Sequence, residues 1–180
     1  SYPDANRHGG MERHMRRKKV CIIGAAAVGK TCLVASYSGE SLHVGYRSTL
    51  GARITTAAVS VQERLRGLVL WDIKGETEFY RIPPAYLYGC EGCVLVADGT
   101  RASTVEHAMD LLARVETLSG GVPHVMLVNK LDLSDRWEVG EALLSSLRKR
   151  VPEIYTCSAR GGITVQTAME TLARKMWGMR

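Results

Sequence analysis

The chain has 180 residues, of which 46% are hydrophobic and 23% are charged, and its formal net charge is +6. A chain of this length and composition is typical of one globular domain with a sizeable core. No apolar run reaches the roughly 20 residues of a membrane-spanning helix, and no secretory signal is recognisable near the start. These features exclude a transmembrane helix and favour a cytoplasmic protein.

We expect residues 1–17 to form a leader or disordered arm ahead of a single folded domain at residues 18–178. Basic side chains are densest between Arg13 and Lys19. Such a run suits either a nucleic-acid or acidic-membrane surface, or a solvated approach to the first strand. Because no aromatic residues alternate with these charges, we favour the solvated approach and predict no nucleic-acid partner.

The five cysteines predict free thiols rather than a metal site. Cys90 and Cys93 have the C-x-x-C spacing, but no second cysteine or histidine pair accompanies them to complete a four-ligand zinc site. An odd number of cysteines without a secretory signal also indicates a reducing compartment.

Strands and helices alternate along the chain, as in a doubly wound α/β domain. The predicted strands are Lys19–Gly24, Ala52–Val61, Arg64–Asp72, Cys93–Asp98, His124–Asn129 and Glu153–Cys157. The predicted helices are Gly29–Tyr37, Thr77–Tyr88, Thr104–Leu118, Val139–Arg150 and Thr164–Trp177. Pro83 and Pro84 lie inside the second helix, which we therefore expect either to be short or broken, or to begin at Pro83.

The second and third strands are separated only by a short polar stretch, so they form a hairpin. Because the remaining connections contain helices, the other strands are expected to be parallel. The sequence therefore predicts an open, six-stranded, mostly parallel sheet with one antiparallel edge strand and helices on both faces. Ligands of such sheets bind beyond the carboxyl ends of the strands.

The segment from Gly24 to Thr31 fits the pattern G-x-x-x-x-G-K-[ST] of a phosphate-binding loop. An apolar run, Val20–Ile23, precedes it and a predicted helix follows, which is the context that this loop requires. Backbone N–H groups in such a loop converge on an anion. We expect the Lys30 ammonium to contact the outer phosphates and the Thr31 hydroxyl to bind Mg²⁺.

Asp72 and Gly75 follow the apolar strand residues 68–70. A carboxylate at the end of that strand is placed to hold Mg²⁺ through water, opposite Thr31. Gly75 has no Cβ, so its backbone N–H can approach a terminal phosphate closely.

The segment Asn129-Lys130-Leu131-Asp132, at the end of the predicted strand His124–Asn129, predicts a guanine site. The Asp132 carboxylate can accept from the ring N–H and the exocyclic amino group of guanine, a donor pair that adenine lacks. The Lys130 stem can lie along the base, and Asn129 can connect this loop to the phosphate loop. Ala159, in the segment after the last strand, can contribute a backbone N–H to the guanine carbonyl.

These motifs together resemble those of the small GTPases of the Ras superfamily, most closely the Rab and Rab-like branch. Five family motifs occur in order, namely GAAAVGKT, a threonine within YRSTLG, WDIKG, NKLD and SAR. The longer run WDIKGETEFYRIPPAYLYGCEGCVLVAD is also similar to the Rab pattern. The resemblance covers about residues 18–177 and implies a P-loop GTPase domain that binds GTP or GDP with Mg²⁺ and slowly hydrolyses GTP.

The resemblance also assigns roles to residues. It implies a switch I of about Leu42–Gly51 and a switch II of about Lys74–Tyr86, with Thr49 binding Mg²⁺ and the γ-phosphate only in the GTP state. The implied catalytic residues are Lys30, Thr49, Gly75 and Glu76, and the implied metal ligands are Thr31, Thr49 and Asp72. The implied nucleotide-binding residues are Ala26, Ala27, Val28, Gly29, Lys30, Thr31, Cys32, Asn129, Lys130, Asp132, Ser158, Ala159 and Arg160.

Glu76 departs from the family, which usually has at this position the glutamine that orients the attacking water. A carboxylate cannot donate a hydrogen bond to that water and adds negative charge beside the γ-phosphate. We therefore expect slow hydrolysis, unless a raised pKa makes Glu76 a working base. The alternative function is a GTP-locked interaction scaffold without turnover. A P-loop kinase is disfavoured because the NKLD segment specifies guanine.

The family further implies effector, exchange-factor and GTPase-activating proteins that contact the two switches. The sequence ends without a prenylatable cysteine, and Met11-Glu12 provides no N-myristoyl signal. We therefore expect no intrinsic lipid anchor. Any peripheral contact with a membrane is expected to be made through partners or through a tail missing from this sequence.

Overall fold

The computed structural model describes residues 16–39, 47–49, 51–158 and 162–179, with the backbone alone for residues 47–49. Several of the sequence predictions fall outside the described residues. They concern most of the leader arm, most of switch I with the Thr49 side chain, and the residues Ala159 and Arg160.

Within the described residues, seven strands form one sheet. Their bounds are β1 Lys18–Ile23, β2 Arg47–Thr49, β3 Ala52–Val61, β4 Arg64–Ile73, β5 Gly92–Asp98, β6 His124–Asn129 and β7 Ile154–Thr156. The spatial order is β2-β3-β4-β1-β5-β6-β7. The neighbouring strands β4, β1, β5, β6 and β7 pair in parallel, whereas β3 is antiparallel to both of its neighbours. The predicted fold class is confirmed, and the three-residue β2 extends the six predicted strands at one edge.

The helices of the described residues cover both faces of this sheet. Their bounds are α1 Lys30–Ser38, α2 Pro84–Leu87, α3 Ser103–Ser119, α4 Glu141–Leu147 and α5 Gly162–Met176. One core joins α2, α3 and α4 to the sheet, and a second core joins α1 and α5 to the opposite face. None of the described helices combines the length and apolar character that crossing a bilayer requires. All seven residues of β5 are buried, as expected for a parallel strand covered on both faces.

The predicted bounds Thr77–Tyr88 are wrong, because only Pro84–Leu87 is helical, but the expectation of a short helix at the prolines is confirmed. The first part of the predicted range is instead a tight turn in which Thr77 and Tyr80 exchange two backbone hydrogen bonds. Pro83 then has an extended backbone, with φ −59° and ψ 130°, and caps the helix. A proline cannot donate an intrahelical hydrogen bond and also restricts the residue before it, so the helix starts only after Pro83.

The carboxyl ends of four neighbouring strands meet at one edge of the sheet. Gly24 follows β1, Asp72 lies near the end of β4, and β5 and β6 end at Asp98 and Asn129. Asp98 and Asn129 are also register partners. The fold thereby brings together three of the sequence motifs, which are separated by up to about a hundred residues along the chain.

Packing of α3 on the sheet is expected to contribute strongly to stability. Leu111 of α3 is fully buried, whereas Leu65 of β4 is 63% exposed. Leu111→Ala should lower the free energy of unfolding by about 2–5 kcal/mol, since it leaves a cavity. Leu65→Ala, the matched control, should change it by less than about 0.5 kcal/mol. Urea unfolding followed by circular dichroism measures both; equal losses would contradict this account of the core.

Candidate functional site

An open cleft of about 520 Å³ lies beyond the carboxyl edge of the sheet. Its walls are the loop of residues 24–31, called here the phosphate loop, the start of α1, and the end of β4 with the residues that follow it. Lys30, Cys32, Asp72 and Gly75 line it. The cleft therefore unites residues that the sequence analysis had drawn from two separate motifs.

Lys30 is buried at the base of this cleft. Its Nζ atom donates to the carbonyl oxygens of Gly24 at 3.0 Å and Ala25 at 2.8 Å. Burial lowers the pKa of Lys30 to about 8; the Arg101 charge adds to this effect and the Asp72 carboxylate opposes it. Because an anion in the cleft would restore the stability of the charged form, Lys30 is suited to bind phosphate.

The first turn of α1 presents its backbone N–H groups to the same cleft. Gly29 is the N-cap and has φ 98°, and no side chain of the described residues caps the helix. The first N–H groups of a helix lack intrahelical acceptors and bind anions readily. A Cβ at Gly29 would lie only 2.3 Å from Nδ2 of Asn129, so both backbone conformation and packing require glycine here.

Three successive carbonyl groups of the phosphate loop are held by side chains from the neighbouring strands. The carbonyl oxygens of residues 26, 27 and 28 accept hydrogen bonds from Arg101 at 2.9 Å, Lys130 at 3.0 Å and Asn129 at 2.9 Å. The Asn129 side chain is completely buried. These bonds orient the loop carbonyls away from the cleft, which leaves the loop N–H groups free to face an anion.

Ala27 has a left-handed backbone conformation, with φ 61°. This conformation costs a residue with a Cβ about 1–2 kcal/mol, whereas glycine adopts it freely. Arg101 donates to the carbonyl oxygen of Ala26, the residue before Ala27, and Lys130 donates to the carbonyl oxygen of Ala27 itself. The loop conformation is thus maintained by contacts from outside the loop.

Asp98, at the end of β5, is a buried anchor for both cations. Its carboxylate accepts from Lys130 at 2.7 Å, from Arg101 Nε at 3.0 Å and from the Thr100 hydroxyl at 2.6 Å. Burial alone would raise the pKa of Asp98, but these donors outweigh it and hold the pKa well below the ordinary value. Asp98 therefore stays ionised and fixes the two side chains that reach the phosphate loop.

Thr31, the last residue of the phosphate loop, contacts Asp72 of β4 inside the cleft. The Thr31 hydroxyl donates to Oδ2 of Asp72 at 2.7 Å. Burial raises the pKa of Asp72, while Thr31 and the nearby Lys30 charge act in the opposite direction. A hydroxyl and a partly buried carboxylate are oxygen donors of the kind that Mg²⁺ prefers, and a divalent cation would compensate the burial of the carboxylate. These two residues fit the predicted metal role.

Gly75 lies directly against the phosphate loop. A Cβ there would come within 2.3 Å of the Ala26 nitrogen and 2.6 Å of the Ala25 carbonyl carbon. Any side chain would force the two segments apart. The structure thus places Gly75 beside the loop that the sequence motif predicts to hold phosphates.

Glu76, the next residue, points away from the cleft and is bound to α3. Arg114 donates two hydrogen bonds to its carboxylate, each 2.7 Å long, and the Ile82 backbone N–H donates a third at 2.9 Å. His107 lies 3.9 Å from Oε1. The Arg114 hydrogen bonds dominate over the effect of burial and lower the pKa of Glu76 to about 2. The idea of a raised pKa is therefore wrong, because this carboxylate lies in a cationic environment.

The predicted base-binding residues lie beside the phosphate loop, to which Asn129 and Lys130 are hydrogen-bonded, rather than among the residues that line the cleft. Lys130 has φ 72°, and a 3₁₀ segment, Leu131–Arg136, follows it with Asp132 exposed. The Leu131 N–H donates to the Cys157 carbonyl at 3.0 Å, which brings the loop containing Ser158 beside the NKLD segment. The Asp132 carboxylate is thus accessible to a ligand, next to the anchored Lys130.

Arg101, Asp98 and Arg114 are site residues that sequence reasoning missed. Asp98 carried a usable signal, since it ends a buried strand just as Asp72 does. The two arginines carried none, because their contacts depend on long side chains that reach another part of the fold.

Comparison with known proteins places the chain in a well-populated group. The Ras family model matches residues 19–178. The chain is 32% identical to Ras-related protein Rab-7b of Homo sapiens over 162 residues, covering 87% of this chain and 81% of the relative. It is 33% identical to the Ypt/Rab-type GTPase YPT7 of Saccharomyces cerevisiae over 165 residues, with coverage of 87% and 79%. Ras-related protein Rab-13 of Canis lupus familiaris is 31% identical over 158 residues, with coverage of 87% and 78%.

The low pKa of Glu76 predicts an acid-dependent stability. The group contributes stability that is fully present above its unfolded pKa near 4.5 and is lost as pH falls towards its folded pKa of about 2. At pH 6, Glu76→Gln should lower the free energy of unfolding by about 1.5–3 kcal/mol, since Arg114 loses its anion. The difference from wild type should shrink steadily below pH 4.5. Urea titrations at several pH values measure it.

Glu141→Gln is the matched control, because Glu141 also pairs with an arginine, Arg148, at 2.8 Å but is 75% exposed. This surface pair should contribute less than about 1 kcal/mol. A Glu76 effect that is equally small, or independent of pH, would contradict the proposed role of the Arg114 contact.

Proposed function

The chain belongs to the Ras family of small GTPases, within its Rab-like branch, and on this premise we propose that it is a guanine-nucleotide switch that turns over slowly. The observation that carries the proposal is the buried hydrogen bond from Asn129 Nδ2 to the Val28 carbonyl, 2.9 Å long. It joins the NKLD loop to the phosphate loop. A ligand that spans both loops needs a purine base at one end and phosphates at the other.

Guanine is proposed to bind beside Lys130, with the Asp132 carboxylate accepting from its ring N–H and amino group. The hydrogen bonds of Lys130 to the Ala27 carbonyl and to Asp98 hold its stem at the edge of the base pocket. The neighbouring segment with Ser158, Ala159 and Arg160 is proposed to complete the pocket. A carboxylate that adenine leaves unpaired disfavours ATP.

The phosphates are proposed to bind the loop N–H groups of residues 26–32, with the Lys30 ammonium over the outer phosphates. Thr31, Asp72 through water, and Thr49 in the GTP state are the residues that would hold Mg²⁺. The metal, when bound, neutralises the charge of the β- and γ-phosphates. Two hydrogen bonds inside the cleft support the assignment. Lys30 donates to the Ala25 carbonyl, and the Thr31 hydroxyl donates to the Asp72 carboxylate.

Hydrolysis is proposed to proceed by in-line attack of water on the γ-phosphorus. The bond from phosphorus to the bridging oxygen breaks, and GDP leaves with the electron pair. Lys30 and the backbone N–H groups, including that of Gly75, stabilise the charge that develops. A slow intrinsic rate is supported by Glu76, whose carboxylate is held by Arg114 and is 4% exposed, so that it does not orient the water.

The switch segments are proposed to contact effectors, an exchange factor and a GTPase-activating protein, in regulation of a trafficking or polarity type. Several of the most similar relatives are named as Rab proteins or as a Ypt/Rab-type GTPase. We propose a cytoplasmic protein that meets membranes peripherally.

Base selectivity gives the first test of this function. Asp132→Ala should weaken GDP binding by about a hundredfold or more and should remove most of the preference for GDP over ADP. Asp135→Ala is the matched control, since Asp135 is an exposed carboxylate in the same 3₁₀ segment. Competition against a fluorescent guanine nucleotide measures the affinities of wild type and both variants for GDP and for ADP. Wild-type protein that binds ADP as tightly as GDP would refute the proposed function.

Hydrolysis gives the second test, in a single-turnover assay with GTP and Mg²⁺. Glu76→Gln should raise the rate by roughly an order of magnitude, because an amide lacks the ion pair that holds the carboxylate to Arg114 and can both donate to and accept from water. Glu78→Gln, an exposed neighbour in the same segment, should leave the rate unchanged. An unaltered rate in Glu76→Gln would remove Glu76 from the account of slow turnover. Absence of decay in every variant would favour a GTP-locked scaffold.

A further inference from the structure

Among the described cations that donate to a carbonyl of the phosphate loop, Arg101 is the one that the proposed mechanism does not use. It follows β5, and its guanidinium bonds in two directions. Nε donates to the Asp98 carboxylate at 3.0 Å, and a terminal nitrogen donates to the Ala26 carbonyl at 2.9 Å. Its side chain is 43% exposed, so these hydrogen bonds, rather than burial, fix the position of the guanidinium group.

The carbonyl that Arg101 holds belongs to the peptide unit between Ala26 and Ala27. The C=O and N–H groups of a planar trans peptide point in opposite directions. Fixing the Ala26 oxygen therefore also fixes the direction of the Ala27 N–H. Both residues line the cleft, so this N–H is a donor whose orientation affects a bound anion.

The need for such fixing comes from Ala27 itself. Its φ of 61° lies in the region where glycine is favoured and a Cβ causes strain. The peptide before Ala27 is held by Arg101 and the peptide after it by Lys130. Without one of these contacts, the strained residue can relax by rotating a peptide, which would turn a donor away from the cleft.

We propose that Arg101 is a positioning residue for diphosphate binding. It holds the peptide that precedes the left-handed residue Ala27, so that the Ala27 N–H faces the β-phosphate. The inference rests on the proposed nucleotide function. It adds that the alanine at position 27 makes this arginine necessary, because glycine would adopt the same backbone conformation unaided.

The test compares the binding of GDP and GMP, which differ by the β-phosphate, in the presence of Mg²⁺. Arg101→Met should weaken GDP binding roughly tenfold, the loss expected for one charge-assisted hydrogen bond, and should change GMP binding by less than about threefold. Arg148→Met is the matched control, since Arg148 is also 43% exposed and paired with a carboxylate. It should leave both affinities unchanged.

The decisive variant is Ala27→Gly. In that background the Arg101→Met substitution should cost less than about threefold in GDP affinity, because glycine needs no external restraint. An undiminished tenfold cost would overturn the proposal, since Arg101 would then act through its charge alone. Equal losses for GDP and GMP would also overturn it, as they would indicate general damage to the fold.

Failure of the proposed function has a different signature. Wild-type protein that binds neither GDP nor GTP would refute the nucleotide switch and this inference with it. Wild-type protein that binds GDP tightly, with Arg101→Met indistinguishable from Arg148→Met, would refute only the positioning role.

Discussion

The candidate site depends on one constraint: a loop can direct its N–H groups towards an anion only if its carbonyl groups find partners on the other side. In this protein the partners are side chains at or just beyond the ends of β5 and β6. Arg101, Lys130 and Asn129 donate to the carbonyl oxygens of residues 26, 27 and 28. The parallel sheet brings those strand ends beside β1. The sheet edge, the phosphate loop and the NKLD segment are therefore parts of one hydrogen-bonded arrangement.

Much of this arrangement can be predicted from the sequence, because its determinants are local. The buried strands are continuous apolar runs, and β5 was located to within one residue at its start. Lys30, Asp72 and Asn129 were predicted from their motifs, and each lies near the carboxyl end of an apolar strand. The short α2 was expected from Pro83 and Pro84, whereas the turn between Thr77 and Tyr80 was not, since it depends on backbone hydrogen bonds that no residue pattern here indicates.

The long-range contacts of charged side chains lay beyond sequence reasoning. Glu76 and Arg114 are 38 positions apart, and Arg101 and Ala26 are 75 apart. Their contacts depend on the distance between a helix or loop and the sheet edge, which no spacing pattern encodes. For Glu76 this changed the chemical interpretation, since the residue expected beside a phosphate is instead part of the contact between the segment after β4 and α3. Sequence position identified the unusual residue, and tertiary structure determined its environment.

The buried bond between Asn129 and the Val28 carbonyl has a consequence for how a ligand leaves the site. Because this bond joins the NKLD segment to the phosphate loop, neither segment can move away from the other without breaking a buried polar contact. The opposite wall, formed by Asp72 and Gly75, contacts the phosphate loop through the close approach of Gly75 and the single hydrogen bond from the Thr31 hydroxyl to Asp72. Among the described contacts, this wall is the less firmly attached one, so displacing it is the less costly way to open the cleft.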